Sequence, residues 1–90
     1  MKFLFFATLL TLSTASFAAD LLEDTTEAIQ TAVNEFKDVA EDADINAFES
    51  IKTTPATGAV NVTIHLKSRS AWTFSCHRHH SNDPMECHEL

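Results

Sequence analysis

Glycine is almost missing from this sequence: Gly58 is the only one in 90 residues. A glycine-rich phosphate loop or a dinucleotide-binding turn needs several, because the backbone must turn sharply and approach the ligand closely. Basic residues are also scarce, 6 against 13 acids, for a net charge of −7. That balance opposes phosphate backbones and anionic membrane surfaces, so no nucleic-acid partner is expected. There are only two cysteines, Cys76 and Cys87, and their spacing is not the two-residue interval of a redox-active pair. The sequence has neither a nucleophile elbow nor a helical paired-histidine zinc motif. Ser81 and Asp83 beside histidines supply the residue types of a hydrolytic set. A chain this short, however, barely buries its own core, and no enzymatic activity is expected. It makes a single small domain, and at 44% hydrophobic it is too apolar to be intrinsically disordered.

One long apolar run is present. Met1-Lys2 is followed by the apolar residues 3–12, and then by the small-residue exit Ser13-Thr14-Ala15-Ser16-Phe17-Ala18. A positive start, an apolar stretch of about 10 residues and a small pair, Ser16 and Ala18, form the layout of a secretory signal cleaved after Ala18. The run is about half the length of a membrane span, so no stable membrane anchoring is expected after cleavage. Residues 1–18 thus read as a signal peptide, residues 19–90 as the mature domain, and the destination as periplasmic or secreted. Without Lys2 the mature net charge becomes −8. A domain of that size is marginal on its core alone and calls for a staple.

Charge divides the mature chain. Residues 19–44 carry nine acids and one base, Lys37, whereas residues 45–90 hold all five histidines and balance four acids (Glu49, Asp83, Glu86, Glu89) against Lys52, Lys67, Arg69 and Arg78. This asymmetry suggests either that the halves lie against each other or that each meets a different partner. The acidic half predicts a helix over about 21–41. Leu22, Ile29, Val33, Phe36 and Ala40 recur at helical spacing, Ala32, Val39 and Ala43 widen the stripe, and no Gly or Pro interrupts residues 20–54. The acids Glu41, Asp42 and Asp44 oppose the helix dipole and predict fraying beyond Ala40.

Residues 45–54 read equally as helix or strand. Pro55-Ala56-Thr57-Gly58 forms a turn. Val60, Val62, Ile64 and Leu66 then alternate with polar residues, and after Ser68-Arg69-Ser70 the alternation resumes at Trp72, Phe74 and Cys76. A short connection there would set Leu66 opposite Trp72 and His65 opposite Thr73. The fold class is α+β: an N-terminal amphipathic helix on an antiparallel hairpin or three-stranded meander, β-rich over about 47–79. A Cys/His-rich tail, 76–90, closes the chain.

In an exported protein Cys76 and Cys87 are expected to pair, because Ser81-Asn82-Asp83-Pro84 turns the chain back between them. Such a bond makes the tail disulfide-closed. Four histidines, His77, His79, His80 and His88, cluster in twelve residues. On an extended strand His77 and His79 share a face, and the disulfide would bring His88 beside them, which suits zinc or copper. Met85 offers a soft ligand for copper, and reduced thiols would offer a Cys76, His79, Cys87, His88 set. His65 lies too far along the sheet to join. Two functions follow: a non-enzymatic interaction module with a protein partner, or a metal-binding accessory protein built on the histidine cluster.

Overall fold

A computed structural model describes residues 20–90 with their side chains and, of residues 2–19, only the backbone. The export signal expected over residues 1–18 lies outside the fully described residues. Helix α1 (Lys2–Val39) precedes a one-turn helix α2 (Asp42–Asn46) and four strands: β1 (Phe48–Ala56), β2 (Ala59–Leu66), β3 (Arg69–His77) and β4 (Glu86–Glu89). The strands form one antiparallel sheet in the order β1-β2-β3-β4. The α+β class and the disulfide-closed tail are as expected, and the sheet has one strand more than the meander anticipated.

The helix buries Ala28, Ala32 and Phe36, three residues at intervals of four. Ile29 and Val33 flank that line half-buried, whereas Leu22, Val39 and Ala43, expected on the dry stripe, lie off it, with Leu22 and Val39 exposed. The buried line is centred on two alanines, so helix and sheet approach closely. The helix ends at Val39, close to the expected fraying point. The acids beyond it then find favourable places: Glu41 takes the extended N-cap position of α2, and Asp42 and Asp44 fall in its first turn. The ambiguous segment is therefore helical to Asn46 and a strand from Phe48.

On the sheet, Val60, Val62, Ile64, Leu66, Phe74 and Cys76 are buried beneath α1. Trp72 is half-buried, edge-on to Phe36 with ring centres 5.3 Å apart and stacked on Phe74 at 6.3 Å. Both hairpin turns are tighter than anticipated. Ala56 pairs with Ala59 around Thr57-Gly58, where Gly58 has φ of 70°. Leu66 pairs with Arg69 around Lys67-Ser68, where Ser68 holds φ of 59°. As a result Trp72 faces Ile64 and Thr73 faces Thr63, not Leu66 and His65. A bulge between Ile64 and Leu66 absorbs the difference at His65, which pairs with Ser50.

β4 closes the sheet because Cys76 and Cys87 stand opposite each other and are disulfide-bonded. Their sulfurs lie 3.7 and 3.5 Å from the Ala28 carbonyl oxygen. Bonded to each other, they have no proton to donate, so this is packing contact. The bond excludes the four-ligand site built on free thiols.

Candidate functional site

The acidic half does lie against the histidine-rich half of the chain, and the side-chain links between them are made chiefly by Arg78 and Arg69. Arg78 Nη2 donates to Asp24 Oδ1 at 3.1 Å and to Glu27 Oε2, while its Nη1 donates to the Asp83 carbonyl at 2.8 Å. The Met85 amide donates to Glu27 Oε1 at 3.1 Å. The Arg78 hydrogen bond, followed by that of the Met85 amide, holds the Glu27 carboxyl below its usual range, and the same pairing raises Arg78. At the other end of the sheet, Arg69 Nε and Trp72 Nε1, the latter at 3.2 Å, donate to the Asp44 carboxylate. The Arg78 and Met85 links fix the path of the tail that carries the histidines.

Trp72, Phe74 and Cys76 point toward the helix, so His77 points to the open face of the sheet. There it pairs with Glu86 across the strands, and His88 pairs with Ser75 on the same face. The His77 ring centre is 5.3 Å from that of His79 and 5.3 Å from that of His88. His79 Nε2 lies 2.5 Å from Glu86 Oε2, and His88 Nε2 lies 4.0 Å from the same oxygen. Three of the four expected histidines therefore meet, although β3 ends at His77. His80 is exposed, and its carbonyl accepts the Asp83 amide at 2.9 Å to close a turn. Glu86 is the member that sequence reasoning missed. Met85 is buried in the core and unavailable as a ligand. Among the described residues no three His, Cys, Asp or Glu side chains, as they stand, gather around a point that could hold an ion.

A second feature lies at the opposite edge. Helix α1 crosses β2, β3 and β4 and has only marginal contact with β1. The gap is a cleft of about 360 Å³ lined by Val33, Phe36, Ile45, Phe48, Ile51 and Ile64, with Lys37 at its rim. Phe48 is 51% exposed, far more than an aromatic in a closed core. β1 is an edge strand of nine residues with no strand on its outer side among the described residues.

No family model, curated protein or solved structure matches this chain. Among the described residues no helix is long and apolar enough to cross a membrane.

Proposed function

We propose that the chain is an exported, disulfide-stabilised, non-enzymatic binding module that receives an extended segment of a protein partner along β1. The observation that carries this reading is the free edge of β1 running beside the apolar cleft. An unpaired strand edge offers backbone hydrogen bonds to an incoming strand, and a neighbouring apolar groove accepts its alternate side chains. Pro55 has no amide hydrogen to donate, which confines pairing to residues 48–53. The mature net charge of −8, after loss of Lys2 with the signal, favours an occupant of net positive charge. A disulfide accords with an oxidising compartment, periplasmic or extracellular.

Selection of peptides from a displayed random library on the chain, followed by titration of synthetic copies, tests this. Selected peptides should alternate apolar residues and carry net positive charge. Their affinity should fall at least tenfold with Phe48→Ser, which empties the cleft mouth, and with Thr53→Pro, which removes an edge amide. Circular dichroism of both variants should match the parent. If the selected peptides keep full affinity for both variants, or pair with another edge by chemical-shift mapping, the reading is overturned. It also fails if sedimentation finds β1 occupied by a second copy of the chain.

A further inference from the structure

We infer that His77, His79, His88 and Glu86 form a tetrahedral site for a zinc-type divalent cation on the open face of the sheet. Two imidazoles bound to one tetrahedral ion at ordinary zinc–nitrogen distance have ring centres about 5.2 Å apart, against about 4.5 Å for neighbours in a square-planar arrangement. His77 stands 5.3 Å from His79 and 5.3 Å from His88, so the rings already have the spacing that one tetrahedral ion requires, and their nitrogens need only turn toward a common point. A fourth donor lies beside them. An oxygen and a nitrogen on one such ion are about 3.3 Å apart. Glu86 Oε2 lies 2.5 Å from His79 Nε2 and 4.0 Å from His88 Nε2, distances that bracket this value. The side chains of His79 and His88 are each 61% exposed, so rotation about their side-chain bonds is unobstructed by packing. Such rotation brings both nitrogens from beside the carboxylate to sharing an ion with it. The backbone needs no comparable freedom, since β3 and β4 are joined by the Cys76–Cys87 bond one residue from His77 and one from His88. Three nitrogens and one oxygen with no thioether suit zinc in preference to cuprous copper, the more so because Met85 is buried.

The test is calorimetric titration of the tag-free chain with Zn²⁺ at pH 7.5, alongside His77→Gln, His88→Gln, Glu86→Gln, His80→Gln and His65→Gln. One ion should bind per chain. Loss of His77 or His88 should weaken binding by a hundredfold or more, and loss of Glu86 by at least tenfold, in line with the cost of disturbing zinc sites. His80→Gln and His65→Gln should bind as the parent does. Imidazole resonances of His77, His79 and His88 should shift on zinc addition while those of His80 and His65 stay in place. Equal losses for His80→Gln and His88→Gln would mean diffuse association with surface imidazoles and would overturn the assignment. Absence of binding at millimolar zinc, or a stoichiometry above one, would do the same.

Discussion

Cutting the link between Cys76 and Cys87 is the perturbation whose size the structure fixes best. The bond closes a loop with a sequence separation of 11, and on the chain-entropy model this restricts the unfolded chain by about 3 kcal/mol. A domain of roughly 70 residues has a total stability of about 4–11 kcal/mol, so this one bond supplies between a quarter and most of it. In a domain of this size the loss should lower Tm by roughly 12–24 °C. Two routes remove the link differently. Reduction keeps both sulfurs, whereas Cys76→Ala/Cys87→Ala also vacates volume at Cys76, which is fully buried, and should cost about 1 kcal/mol more. Thermal melts followed by circular dichroism on oxidised, reduced and doubly substituted protein give both numbers.

Arg78 adds a sharper check, because it tethers the same loop to α1 in the folded state. If the disulfide acts on the unfolded chain, Arg78→Ala and reduction should add to within about 0.5 kcal/mol. If instead the bond works by holding β4 in place, the two changes share one task and their effects will be strongly coupled. A drop in Tm below about 5 °C on reduction, or such coupling, would refute the entropic account.

Two further outcomes follow from the packing and the ion pairs. Trp72→Ala should cost about 3 kcal/mol, the low end for a core aromatic because the ring is half-buried, while Trp72→Phe should cost about 1 kcal/mol for the bond to Asp44; urea titrations with unchanged slope would check both. The Glu27 carboxyl is depressed by Arg78 and the Met85 amide, so its contribution is present above the usual carboxylate range and is lost as pH falls through the lowered folded value. Melts at pH 7 and pH 3 should accordingly show Glu27→Gln less stable at pH 7 but losing less on acidification than the parent, and parallel losses would contradict that origin.

The strands with strong alternation, β2 and β3, are plain in the sequence because each has one dry and one wet face. β4 is not. Glu86-Cys87-His88-Glu89 has no apolar period, and it becomes a strand because the disulfide and the β3 edge impose pairing on it. The rotation of the helix face has a similar cause. Ala28 and Ala32 carry little weight in a pattern read from large side chains, so Leu22 and Val39 pull the expected stripe away from the line the sheet covers. The acids after Ala40 read as a poor helix end, yet they serve equally as the start of another helix, a distinction only the turn at Glu41 decides. The histidine grouping was legible through the cysteines beside it. Glu86 was not, though it occupies the same face as His88 two residues on, the ordinary alternation of a strand whose existence was the missing fact.

One offset accounts for both candidate surfaces. Because α1 lies over β2, β3 and β4, it covers the short edge of the sheet and leaves the long edge bare. At the covered edge β4 is held by a disulfide and by Arg78 and Met85 bound to the helix acids, so side chains on its outer face project from a fixed backbone. A cation site needs that fixity, since its donors must keep their spacing without being held by one another. At the bare edge the requirement is the reverse. β1 keeps unpaired backbone groups and half-covered apolar side chains, which the described residues have no further element to satisfy. Shifting the helix over β1 would close the cleft and strip the cover from the disulfide, so the position that secures one edge is the position that opens the other.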